Sequence, residues 1–324
     1  MVAVLLLLAG SGLEALALSG DGKLLAVGGR NRAVYVLDGA TLEVRQRLGV
    51  RAPVRNLAFT ADGGALVVED DRDTLRRFDR ATGKLLGTLE DARGLTVHPE
   101  GKLALVRGAN LRLIQLADFR TMATLETNER PTALAFDAAG RQIFVLEQGQ
   151  PSEDERRVPA ADVPGSLRGL EREVFRQRND GRMSLLRVYD LDGKELRRRR
   201  LWYTSDSDST TLIPRGDEML ILNRSNTVAR LNALGEITLS RLDVPVLHAR
   251  AASLDGKRIA LGLRGGVRVW TDKTQDQPFD EPPGEAEFVT RLLVRPDGTI
   301  YGVTSAYRVV HIDPTGKVRT VPVF

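Results

Sequence analysis

Apolar residues fall in short runs along the whole chain, separated by Gly, Asp and Pro turns. Residues 13–18 alternate apolar and other positions into one such turn. Residues 24–27 (Leu-Leu-Ala-Val) form a continuous apolar run that ends at Gly28-Gly29. Residues 33–37 (Ala-Val-Tyr-Val-Leu) are rich in β-branched and aromatic side chains. Runs this short, bounded by turn residues, are strands rather than helices. A strand apolar at every position suits burial on both faces of its sheet.

The turns recur. They read Ser-Gly-Asp-Gly-Lys at 19–23, Thr-Ala-Asp-Gly-Gly at 60–64, His-Pro-Glu-Gly-Lys at 98–102 and Asp-Ala-Ala-Gly-Arg at 137–141. Three more follow at 214–218, 253–257 and 295–299. Their glycines (Gly22, Gly63, Gly101, Gly140, Gly216, Gly256 and Gly298) are spaced by 41, 38, 39, 76, 40 and 42 residues. A second turn, opening on Asp38, Asp79, Asp190 or Asp313, repeats as well. Each unit therefore reads as strand a, a Gly turn, strand b, a loop, strand c, an Asp turn and strand d. In both turns Asp bonds its own backbone and Gly supplies the positive φ. A period near 40 with four strands per repeat predicts an all-β, seven-bladed β-propeller, with residues 1–324 as a single domain.

Two segments fall outside the period. Residues 2–8 are apolar but too short to span a bilayer, and no basic region precedes them. They are expected to form an outer strand that completes the last blade, with an unusual export signal as the alternative. The long 76-residue interval places about 36 extra residues at 148–183, between strands b and c of blade four. Pro164-Gly165-Ser166 offers a helix start and Asn179-Asp180-Gly181 a stop. Leu167, Leu170, Val174 and Phe175 lie between them at helical spacing, which predicts an amphipathic helical insertion.

The a–b turns and the Asp-x-x-Gly-Lys c–d turns resemble those of the WD40 and YVTN-type propeller repeats over nearly the whole chain. That resemblance implies a toroid of four-stranded blades used as a platform for protein interaction. Departures place the chain at the looser, mainly bacterial end of the group. No Gly-His dipeptide precedes a first strand, and only Trp270-Thr271-Asp272 approaches the Trp-Asp ending.

Composition narrows the chemistry. With no cysteine, disulfides, thiol nucleophiles and thiolate metal sites are excluded. The net charge is only +4, which argues against a nucleic-acid partner. Arginine outnumbers lysine 40 to 7, in keeping with a GC-rich genome or with planar contacts to carboxylates. His98, His248 and His311 show no metal-site spacing. The acidic pieces 70–73 and 206–208 lack the ligand order of a calcium loop and read as solvated turns. Neither a P-loop nor a Gly-x-Ser-x-Gly elbow occurs.

One pattern suggests binding. Arginines follow strand b in five units: Arg30, Arg72, Arg107, Arg224 and Arg264. Equivalent loops share one rim, so these residues form a candidate collar for carboxylates. The competing reading is inheritance from a duplicated blade, with each arginine paired locally or solvated. A second basic cluster, Arg197 to Arg200, lies on a d strand, where it guards an outer edge or meets an acidic surface.

The expected function is a non-catalytic scaffold that binds a protein or acidic peptide. Its contact residues are Arg30, Arg72, Arg107, Arg224 and Arg264, with Leu170, Val174 and Phe175 of the insertion. No cofactor, metal or membrane span is expected; oligomeric state is left open, and the compartment leans to cytoplasm over periplasm. The alternative is a small-molecule enzyme of the lactonase or quinoprotein-like dehydrogenase type at a central channel, with Glu129, Asp206, Asn223 and Asp243 as its polar groups.

Overall fold

A computed structural model of the chain describes residues 12–127, 131–149, 183–201, 210–215, 218–222, 227–232, 237–241, 249–271, 274–280 and 287–323. These residues form seven four-stranded antiparallel sheets, each built from consecutive strands. Sheet 1 holds β1 (Leu13–Leu18), β2 (Leu24–Gly29), β3 (Ala33–Asp38) and β4 (Val44–Gly49). Sheet 2 holds β5 (Val54–Phe59), β6 (Ala65–Asp70), β7 (Leu75–Asp79) and β8 (Leu85–Leu89). Sheet 3 holds β9 (Arg93–Val97), β10 (Leu103–Arg107), β11 (Leu111–Gln115) and β12 (Thr121–Leu125). In sheet 4 come β13 (Pro131–Phe136), β14 (Ile143–Gly149), β15 (Met183–Tyr189) and β16 (Glu195–Leu201). Sheet 5 follows with β17 (Thr211–Arg215), β18 (Glu218–Leu222), β19 (Thr227–Leu231) and β20 (Ile237–Arg241). Sheet 6 comprises β21 (Ala249–Ala252), β22 (Ile259–Leu263), β23 (Gly266–Trp270) and β24 (Thr274–Pro278). Sheet 7 ends the chain with β25 (Val289–Val294), β26 (Ile300–Thr304), β27 (Arg308–Ile312) and β28 (Val318–Pro322). The fold is an all-β, seven-bladed propeller.

The chain divides into two compact units: Met1–Met122 with Val246–Phe324, and Ala123–Pro245. In the first, sheets 6, 7, 1, 2 and 3 pack in succession through their first strands. Separate apolar clusters fill the 6–7, 7–1, 1–2 and 2–3 interfaces. In the second unit one cluster, including Phe144, Leu186, Met219 and Ile221, fills the space between sheets 4 and 5. The second strand of each blade is the most buried, as its continuous apolar run requires: every residue of β6 and β26 is buried. Outer strands β4, β8 and β24 are mostly exposed.

Turn chemistry is as the sequence predicts. Gly22, Gly63, Gly101, Gly140, Gly256 and Gly298 all have positive φ; Gly216 lies outside the described residues. In the first turn Ser19 donates to Asp21, and Asp21 accepts from the Lys23 amide. His98 takes the place of Ser19, its Nδ1 accepting from the Glu100 amide at 3.1 Å. The first c–d turn departs from expectation. Leu42, not Gly39, takes the positive φ. Gly39 is required instead because a Cβ there would sit 2.4 Å from the Gly22 carbonyl oxygen.

The ends of the chain meet in the first unit. The Tyr301 hydroxyl donates to the Gly39 carbonyl, and the Thr290 hydroxyl to that of Leu13. Residues 2–8, expected as a closing strand, lie outside the described residues; sheet 7 has four strands from 289–322 alone. The interruption of blade four starts later and ends earlier than its spacing suggests. Gln148 pairs with Ser184 and Gly149 with Met183, so the two strands continue into the expected insertion. Residues 150–182, with Leu167, Leu170, Val174 and Phe175 of the expected helix, lie outside the described residues.

Candidate functional site

The b–c loops of sheets 1, 2, 6 and 7 share a construction that the sequence does not announce. Arg32, Asp73, Gly265 and Tyr307 have positive φ. Each carbonyl accepts from a residue that follows its outer strand: Val50, Ala92, Phe279 and Val323. Three of the four are not glycine, an arrangement that costs roughly 1 kcal/mol each. The strained residue is held by the bond to the outgoing chain, and it fixes the tip on which Arg30, Arg72 and Arg264 stand.

Around these tips the first strands carry charge. β1 shifts register between Leu13 and Ala15, β5 between Val54 and Asn56, and β25 between Val289 and Arg291. Such bulges re-aim side chains. Glu14, in the first bulge, accepts from Arg30 Nε at 2.8 Å and from Arg55 Nη1 at 3.3 Å. That pairing holds the Arg30 guanidinium above its ordinary value. Arg93 lies 3.3 Å from Asp73. Glu69 is 4% exposed, and its oxygens accept from Asn56 Nδ2 at 2.7 Å and from the Gly94 and Leu95 amides at 2.8 Å. It thereby ties β6 of one sheet to the first strand of the next. Arg291 contacts solvent by surface area but stands amid dense protein; burial pulls it below the ordinary arginine value, with Glu69 and Glu14 opposing. Arg291 is exposed, and its guanidinium stays charged.

The predicted arginines divide. Arg30 is tied to Glu14. Arg72 and Arg264 are exposed, and the Arg72 amide bonds the Asp70 carboxylate. Arg107 is not a loop residue: it ends β10 paired with Leu111 and Arg93, and its guanidinium lies over Gly94. Only three residues separate β10 from β11, which leaves the side chain in the ladder. Arg224 lies outside the described residues, as do Glu129, Asp206, Asn223, Asp243 and His248. His311 packs against Tyr301 at 5.1 Å, and burial lowers its pKa.

Asp70 is 2% exposed, not the solvated turn residue that its acidic neighbours suggest. It accepts from the Arg72 and Thr74 amides and pairs with Arg76 on β7. Sheet 4 repeats the pair one-for-one: Glu147 on β14 meets Arg187 on β15 at 3.1 Å, and Arg187 also bonds Glu195 at 2.6 Å. Burial works against the Arg187 charge, but the two carboxylates outweigh it and hold its pKa above the ordinary value. A third buried pair joins Arg308 to Glu287, with the guanidinium 5.3 Å over the Phe279 ring. Among the described residues, no group of three His, Asp or Glu is placed to hold a metal ion.

Sequence reasoning does not find Glu14, Glu69, Arg55 or Arg291. For Glu14, Arg55 and Arg291 the usable signal is a charged residue that breaks an apolar first strand near its start; Glu69 and Asp70 end an otherwise apolar second strand.

The fold and the cationic tips define a β-propeller whose blades carry guanidinium groups at the b–c end of the first unit. Residues 9–234 match the PQQ_2 family, described as outer membrane protein assembly factor BamB, and the chain belongs to that family. No curated protein sequence matches it. Among solved structures it is similar to the hydrazine synthase of Kuenenia stuttgartiensis. The two share 14% identity and a TM-score of 0.66 over 97% of this chain and 96% of that one. With 1732 solved chains resembling it, the architecture selects no activity by itself.

Proposed function

We propose that the protein is a non-catalytic scaffold that binds an acidic segment of another protein at the b–c end of its first unit. One observation carries this reading: Arg30 and Arg55 both bond Glu14, with Arg72, Arg93, Arg264 and Arg291 on the same end of neighbouring sheets. Cations exceed the carboxylates available to them. Arg is suited to such contacts, since its planar fork grips a carboxylate through two N–H groups. The family description, an assembly factor for outer membrane proteins, fits a chain whose partners are other proteins. The WD40- and YVTN-like turns fit the same use. On this reading the protein works at an outer membrane, outside the cytoplasm.

The similarity to an enzyme of the same architecture motivates a second reading, a small-molecule site of the quinoprotein-like kind on the same arginines. One experiment separates the two. The protein is purified from its host with its partners, and these are identified by mass spectrometry. Arg30→Glu, Arg72→Glu and Arg264→Glu are then combined and the pull-down repeated. The scaffold reading expects loss of a specific protein partner with the melting curve unchanged. An unaltered partner set would exclude this surface, and a tightly held small molecule lost on substitution would favour the second reading.

A further inference from the structure

A separate feature lies between sheets 2 and 3 of the first unit. Their facing side chains, among them Leu75, Leu95, Ile114 and Leu116, form one apolar cluster. One position breaks this rule. In sheets 1, 4 and 6 the third strand turns Val36, Val188 or Val269 into the space between sheets. Across the ladder from each stands a long polar residue of the outer strand: Gln46, Arg197 or Gln275. Sheet 2 reverses the pair. Arg77 takes the inner place, and Gly87 stands opposite it.

Arg77 is half-buried, and its Nε is buried with no hydrogen-bond partner. A donor that neither protein nor water satisfies is destabilising until something accepts from it. The guanidinium carbon lies 6.0 Å from the centre of the Phe119 ring, a placement that favours its charge. Phe119 is itself held at φ +64°, where the same turn of sheet 2 has Gly83. The amide of each closes its turn onto the residue four positions earlier, Gln115 or Asp79. A bulky residue is strained there, and the strain sets its ring beside Arg77. Opposite Arg77, a Cβ on Gly87 would meet nothing within 4 Å. Leu89, two residues on along the same face, is half-buried against the cluster. An unfilled guanidinium donor thus has an aromatic wall, an aliphatic wall and open space beside it.

We infer that Arg77 binds a small carboxylate with a short apolar stem, its oxygens taken side-on by Nε and a terminal N–H of the guanidinium and its stem lying over Gly87 against Phe119 and Leu89. The planar fork matches a carboxylate through two parallel bonds. One guanidinium balances one negative charge, and the two walls require an apolar stem. Neither Arg30, Arg72 nor Arg264 takes part, so this site stands or falls independently of the b–c surface.

The test is NMR of the isotope-labelled full chain, following the arginine Nε–H resonances. That of Arg77 is identified by its loss in Arg77→Lys. Sodium valerate is titrated against sodium chloride at constant ionic strength. A saturable shift of the Arg77 resonance is expected. It should need at least tenfold more valerate in Gly87→Val, whose side chain fills the open space and leaves the charge in place. Gly87→Ala, expected to weaken binding at least twofold, serves as the second variant should valine lower the melting temperature. The combined Arg30→Glu/Arg72→Glu/Arg264→Glu variant is expected to bind as the parent does. Absence of a saturable shift would overturn the proposal. So would an equal shift with chloride alone, or equal valerate affinity in the parent and a folded Gly87 variant. N-acetylglutamate amide is the remaining arm. Were it bound and valerate not, the occupant would be a protein side chain, and the proposal would fall.

Discussion

Single carboxylates organise much of this protein. The turn aspartates Asp21, Asp62, Asp79, Asp255 and Asp313 are held below the usual carboxylate range, chiefly by hydroxyls of Ser19, Thr60, Thr82, Ser253 and Thr315. Asp38 is lowered from 3.8 to about 2, first by the Thr41 and Ala40 amides and then by Arg45. Because these values fall on folding, their stabilising contribution is complete above the unfolded value. It disappears as pH falls through the folded one. The melting temperature is therefore expected to drop as pH is taken from about 4 to about 2, and Asp38→Ala should flatten that slope. Glu69 acts between sheets. Glu69→Ala leaves the Gly94 and Leu95 amides and the Asn56 amide without their acceptor, and urea unfolding should show a loss of about 2–4 kcal/mol. Glu69→Gln, which keeps one acceptor oxygen, should recover part of it.

At the scale of strands and turns, Gly12 shows what the packing of sheet 7 on sheet 1 demands. Its φ is +148°, and a Cβ there would lie 2.6 Å from the Ser305 backbone. Backbone cannot swing aside as a side-chain tip can. Gly12→Ala is expected to destabilise the protein by about 2–3 kcal/mol, measured by calorimetry. The strands themselves are legible from the chain because their cues are local. Asp-Gly turns and apolar runs mark β2, β3, β6 and β26 without reference to any other part of the molecule. What escapes is set by partners on other strands or other sheets. The positive φ at Arg32 and Tyr307 depends on a bond from Val50 or Val323. Glu69 is recognisable only once Gly94 is known to face it. Asp70 sits in a run of acids that reads as solvent-exposed, and only Arg76 on the adjacent strand β7 explains its burial. Of the candidate site, the sequence marks Arg30, Arg72 and Arg264 but not the carboxylate that positions the first of them.

For the molecule as a whole, salt should act strongly on the b–c surface. The b–c surface relies on exposed guanidinium groups, whose reach in solution shrinks from about 10 Å at 0.1 M salt to about 3 Å at 1 M. Partner retention in the pull-down should fall steeply over that range. Retention at the b–c surface that ignores salt would point to an apolar contact in place of the ionic one.

The bonds from Tyr301 to Gly39 and from Thr290 to Leu13 join residues 262 and 277 positions apart. A ribosome releases Gly39 long before Tyr301. During synthesis the apolar flank of sheet 1 therefore waits for sheet 7 to emerge. Loop closure over such a distance is the slowest contact to find. The seam between sheets 1 and 7 is thus where a nascent copy is most open to the wrong neighbour.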